Sequence, residues 1–310
     1  MSPSAHELDH VLRRLEWTVI RRLDGLLQGD YRTLFRGFGV DFADLREYQY
    51  HDDVRYIDWN VTARLQTPYV REYNEDREVI GWFLLDLSAS VDFGAQVKKL
   101  SVATEFVAVL ARLLARHGNR VGAMLYGDRV DTVIPARAGR RHVLQILHAM
   151  QSRPPPPRGA TDLSDLIKTA YPIMRRRSLV FVVSDFISRP GWDRPLMQLA
   201  QHHEVIAVRL YDPLEMELPD LGMVVIQDSE TGEQMFVDTH DRRFRRRFAT
   251  VAARREAELR AALRQAGVDA LELRTGDDLV DAVLRFADLR KQRRRLRASE
   301  SPPAHMKAMA

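Results

Sequence analysis

The chain has 310 residues, 45% apolar and 29% charged, a composition that suits a globular protein with one large α/β domain or two smaller ones. It contains no cysteine, which excludes disulfides, thiolate metal sites and cysteine nucleophiles. The formal net charge of +4 is uneven: residues 240–310 hold 18 Lys and Arg against 10 Asp and Glu, and the first 239 residues hold 29 against 33.

Residues 6–27 carry Leu8, Val11, Leu12, Leu15, Val19, Leu23 and Leu26 at helical spacing and predict an amphipathic helix. Residues 29–76 are rich in Tyr, Asp and Arg and show no long period. Gly37-Phe38-Gly39 predicts a turn there, and Arg71-Glu72-Tyr73 a short strand leading toward the first strand of the main sheet. From residue 79 strands and helices alternate. Val79–Leu85 reads as a buried strand, followed by a helix over about 95–117 that stops near Gly118-Asn119. Arg120–Tyr126 and Val130–Ile134 read as strands joined by a tight Gly127-Asp128 turn, followed by a helix over 139–150. Pro154–Pro157 predicts a stiff loop, and Leu163–Met174 a helix that Pro172 should end or bend.

Leu179–Ser184 and Val205–Tyr211 are strongly β-branched strands. Residues 223–227 and 234–238 suggest a hairpin, residues 241–266 a long helix ended by Gly267, Ala270–Leu273 a last strand and 276–297 a last helix. This alternation predicts an α/β fold, doubly wound, with a mainly parallel sheet and helices on both faces. The expected organisation is residues 1–76 packed on a main domain of 77–297, with a disordered tail at 298–310. No apolar run approaches the length of a bilayer and no leader-like segment opens the chain, so a cytoplasmic location is expected.

Three segments promise chemistry. Asp86-Leu87-Ser88-Ala89-Ser90 follows the first strand of the alternating region, where ligands bind in open α/β sheets. Thr161, in Gly159-Ala160-Thr161-Asp162-Leu163, opens a helix, and Asp185 follows the strand at 179–184. Each has an ordinary explanation as a turn former or helix cap. Together they offer a set of hard oxygens suited to Mg²⁺, with Mn²⁺ possible. No histidine stands close to these segments in the sequence, and no nucleophile–base pair accompanies the motif.

Asp86, Ser88, Ser90, Thr161 and Asp185, in this order, resemble the metal-ion-dependent adhesion site of von Willebrand factor A domains. That resemblance covers residues 79–290 and implies that the five residues hold Mg²⁺. A second set of motifs lies upstream: Gly37–Phe42, Leu45-Arg46-Glu47-Tyr48, Asp52–Trp59 and Thr62-Ala63-Arg64. It resembles a signature of an uncharacterised bacterial group of von Willebrand A-like proteins, usually encoded beside MoxR-type AAA+ ATPases. Many members of that group carry N-terminal membrane helices, and this chain resembles the short variety without them. The ordinary account of Arg46, Glu47, Asp52, Asp53, Arg55, Asp58 and Arg64 is a buried ion-pair network, because unpaired buried charge is costly.

The resemblance implies a protein-binding module, not an enzyme. A partner's Asp or Glu would complete the metal's coordination, and a MoxR-type ATPase is the implied partner. A phosphotransferase of the haloacid-dehalogenase kind also places an Asp after its first strand, but it needs a second acid two residues later, where Ser88 stands. Nucleic-acid binding through the basic runs at 242–247 and 290–297 is the third possibility. No binding motif accompanies that charge, and a solvated face explains it more simply.

Overall fold

A computed structural model describes residues 44–49, 54, 57, 59–72, 79–94, 97–154, 159–228 and 231–300. The helix expected at 6–27 and the turn at Gly37–Gly39 lie outside them. The first described elements are β1 (Asp44–Glu47), α1 (Trp59–Leu65) and β2 (Tyr69–Glu72). β2 does not lead into the main sheet. It pairs antiparallel with β1 as a separate ribbon, Leu45 opposite Arg71. Of the buried ion-pair network expected in this segment, the two members whose burial is described, Glu47 and Arg64, are exposed, so that expectation is corrected for them.

The main sheet contains β3 (Ile80–Asp86), β4 (Arg120–Tyr126), β5 (Val130–Arg137), β6 (Leu179–Ser184), β7 (Glu204–Tyr211) and β10 (Asp269–Arg274), in the order β10-β7-β6-β3-β4-β5. All neighbours are parallel except β4 and β5. β5 continues past Pro135, which an edge strand tolerates because one side of its backbone needs no partner.

Strict alternation along the central strands divides the core in two. Phe83 and Leu85 of β3 face α2 (Lys99–Arg116), α3 (Arg140–Gln151) and α7 (Leu279–Glu300). Trp82 and Leu84 face α4 (Leu163–Ala170), α5 (Asp193–His202) and α6 (Arg242–Gln265). The result is a mixed α/β fold with a largely parallel sheet between two helical layers, which requires strands apolar on both faces. Gly122 lets Trp82 lie against β4: a Cβ at position 122 would come within 2.8 Å of the indole.

α5 has no counterpart in the sequence pattern. It buries only Pro195, Leu196 and Leu199, too short a stripe to register as a period. α4 ends at Ala170, two residues before Pro172, whose ring and missing N–H bar continuation. Asp162 caps α4, its side chain accepting the Ser164 N–H at 2.9 Å. Asp162→Ala should therefore cost about 1 kcal/mol of stability, readable in denaturant unfolding. Between β7 and α6 the chain forms the ribbon β8 (Met223–Gln227) and β9 (Gln234–Asp238), which exposes Met223, Val225 and Phe236.

The two basic runs differ in the structure. Arg242, Arg243, Arg246 and Arg247 are exposed on α6. Arg290 is buried on α7 and pairs with Glu204 and with Asp269, so it ties that helix to the starts of β7 and β10. α7 runs to Glu300. Among the described residues no helix is long and apolar enough to cross a membrane.

Candidate metal centre at the strand ends

The sheet order reverses around β3. From β3 the chain moves outward to β4 and β5, then returns to β6 on the other side. A crevice opens at such a reversal because the loops after adjacent parallel strands leave in opposite directions. Asp86 ends β3, and Asp185 follows Ser184 at the end of the neighbouring β6.

Asp86 is fully buried. Its Oδ1 accepts the Ser88 backbone N–H at 3.0 Å, which folds the loop back over the strand end, and its Oδ2 accepts the Ser184 hydroxyl at 2.6 Å. Ser88 and Ser90 are also buried, with their Oγ atoms 3.2 Å apart. Their residues lead into a single 3-10 turn at Ala89–Asp92. Spacing by two thus brings both hydroxyls to one side of the loop.

Asp185 is held by both oxygens. Oδ1 accepts the Ile187 N–H at 2.9 Å, and Oδ2 accepts Lys99 Nζ at 2.6 Å. The next residue, Phe186, has φ of 59°, a left-handed conformation that is costly for a bulky side chain. Its ring packs 5.3 Å from Trp192, and its N–H donates to Ser184 Oγ at 2.8 Å. These contacts hold the sharp turn that aims Asp185 back toward the crevice. The loop carrying buried Thr161 is tied to the same turn: the Thr161 carbonyl accepts the Ser188 hydroxyl at 3.1 Å and the Arg189 N–H at 2.9 Å. The next amide, that of Asp162, donates to the Tyr126 hydroxyl at the end of β4.

Burial, followed by the charge of Asp185, pushes the Asp86 carboxyl up to about 6, against the opposing hydrogen bonds from Ser184 and Ser88. Burial alone would push the Lys99 ammonium down, but Asp185 and Glu215 outweigh it and hold it above the usual lysine range. Lys99 is wholly enclosed and donates to Glu215 Oε1 at 2.6 Å as well as to Asp185.

Among the described residues no three His, Asp or Glu side chains cluster as metal ligands. Among the five candidate ligands Asp86 and Asp185 are the carboxylates, and the other donors are hydroxyls. This donor set fits Mg²⁺, which accepts hard oxygens and keeps several waters.

Ser184, Lys99 and Glu215 are the members that sequence reasoning missed. Lys99 had one signal: Lys98 and Lys99 open α2 where the helix dipole favours acids. Asp278 caps α7, its Oδ1 accepting the Val280 N–H at 2.8 Å.

The family described as "Protein of unknown function DUF58" matches residues 44–258. The chain belongs to the DUF58 family. Uncharacterised proteins of Mycobacterium bovis and Mycobacterium tuberculosis share 39% identity with this DUF58 chain over 290 residues, 92% of its length and 90% of theirs. Among solved structures, an aerotolerance-related membrane protein from Bacteroides fragilis covers 68% of the DUF58 chain and 98% of its own, at 13% identity and a TM-score of 0.43. BatB from Bacteroides thetaiotaomicron covers 69% and 98%, at 14% identity and a TM-score of 0.40. Likeness at that level carries no argument about the DUF58 chain.

Proposed function

We infer that this chain is a Mg²⁺-dependent protein-interaction module of the von Willebrand A kind. The ion would be held by Asp86, Ser88, Ser90, Thr161 and Asp185, and the partner would contribute an Asp or Glu. The observation that carries this reading is the burial of both Asp86 and Asp185 at the ends of adjacent strands, with the Ser88 N–H bonded to Asp86 and the Ser88 and Ser90 hydroxyls 3.2 Å apart in the same loop. A Mg²⁺ ion among so few carboxylates keeps exchangeable water positions, and an incoming carboxylate can take one of them.

Binding suits the site better than hydrolysis. Ser88 donates its N–H to Asp86 and has no carboxyl with which to protonate a leaving group. Arg290 is engaged in buried ion pairs, which removes one charge from the basic run that nucleic acid would use. The upstream motifs make a MoxR-type AAA+ ATPase, or a client that it remodels, the partner to test first.

The test is a pull-down from a bacterial lysate with and without Mg²⁺, comparing wild type with Asp86→Ala. The expected result is a MoxR-type ATPase retained only with Mg²⁺ and intact Asp86. Equal Mg²⁺ binding by wild type and Asp86→Ala in calorimetry overturns the site assignment.

A further inference from the structure

Lys99 is a buried cation for which the five-residue site gives no account. Its ammonium bridges Asp185 Oδ2 and Glu215 Oε1, each at 2.6 Å, across 86 and 116 residues of sequence. Glu215 is itself set in place: its Oε2 accepts the Asp212 N–H at 3.1 Å in a capping box, and Asp212 accepts the Thr275 hydroxyl at 2.7 Å. A rigid turn after β7 therefore presents one acid to Lys99, and the turn after β6 presents another.

Burying an ammonium is expensive, and a buried ion pair seldom adds net stability over apolar side chains of similar size. The arrangement has a consequence for charge. Asp86, Asp185 and Glu215 carry three negative charges and Lys99 one positive, which leaves the balance that a single divalent ion neutralises. We propose, resting on the metal-binding reading above, that Lys99 and Glu215 set the charge of the crevice and so tune its affinity for Mg²⁺. Lys99 is a positioning and charge-setting residue, since its ammonium holds Asp185 and, being protonated, has no lone pair to offer a cation.

Opposite charge changes then have opposite effects. Glu215→Gln removes a negative charge and should weaken Mg²⁺ binding by roughly tenfold or more; Lys99→Met removes a positive one and should tighten it by a similar factor. The double variant Lys99→Met/Glu215→Gln restores the wild-type balance and should return the affinity to near wild type. A pair that only held the fold together would behave otherwise, with all three variants weaker and the double variant weakest.

The experiment is calorimetric Mg²⁺ titration of the full chain in wild type, Asp86→Ala and these three variants, with circular dichroism melting to confirm folding. Recovery of affinity in the double variant relative to Glu215→Gln supports the proposal, and a further loss overturns it. That comparison decides the matter even if Lys99→Met alone fails to fold. Absence of Asp86-dependent Mg²⁺ binding in wild type overturns the site reading itself, an outcome distinct from wild-type binding whose affinity ignores charge.

Discussion

Asp86→Asn should raise the melting temperature of the metal-free protein while it abolishes Mg²⁺ binding. The wild-type carboxylate is fully buried beside Asp185, and its carboxyl titrates at about 6 against an ordinary 3.8. An acid whose folded value is raised binds protons more readily in the folded state. Its favourable contribution is complete below the unfolded value and is lost as pH rises through about 6. At neutral pH the ionised group therefore costs stability, on the order of 2 to 3 kcal/mol for a shift of this size. Asparagine removes that cost but gives up part of the hydrogen bonding with Ser184, so a net gain of about 1 to 2 kcal/mol is expected, a few degrees in melting temperature for a domain of this size.

The pH dependence separates this account from a generic effect of substitution. The stability gap between Asp86→Asn and metal-free wild type should widen as pH rises from about 4 to about 7, since only wild type acquires the buried charge. Saturating Mg²⁺ should close or reverse the gap near neutral pH by stabilising wild type alone. Thermal melts at several pH values with and without Mg²⁺ make the measurement. A gap that is flat with pH would show that Asp86 is not the strained carboxylate described above.

Phe181→Ala should be the most damaging single truncation in the core. Phe181 is 2% exposed in the middle of β6, stacked on Phe83 at 5.1 Å and edge-on to Phe106 of α2 at 5.6 Å. These rings join β3 and β6, at whose ends Asp86 and Asp185 stand, to the helix that carries Lys99. Large-to-small changes at such sites cost about 3 to 5 kcal/mol, a large share of the roughly 5 to 15 kcal/mol that holds a domain together. A loss of that size, read as a lower denaturant midpoint at unchanged slope, is the expected result. A loss under 1 kcal/mol, the level of a volume-conserving swap, would mean that the surrounding helices collapse into the space.

Much of the fold was legible in the sequence because its signals are local. Apolar runs at 80–85 and 179–184, with helical periods between them, announce a parallel sheet covered on both faces, and their polar ends mark where Asp86 and Asp185 stand. Residue types at those boundaries identified a set of hard oxygens. Local pattern failed where a short stripe had to be recognised, as in α5, and where an ordinary expectation about charge met a different environment. Glu47 was expected to be buried and is exposed, while Arg290, read as part of a solvated run, is buried between Glu204 and Asp269.

The sequence by itself determined the order of strands and helices from residue 79 onward, α5 apart, and the chemistry of the groups at two strand ends. Only the tertiary structure decided how those groups are charged and held. Ser184 reaches Asp86 across 98 residues, and Lys99 reaches Asp185 and Glu215 across 86 and 116. Such partners share no period or motif with the residues they touch. They meet because parallel pairing sets β3 beside β6, and β6 beside β7, which brings distant loops to one end of the sheet, where burial strengthens each charge interaction.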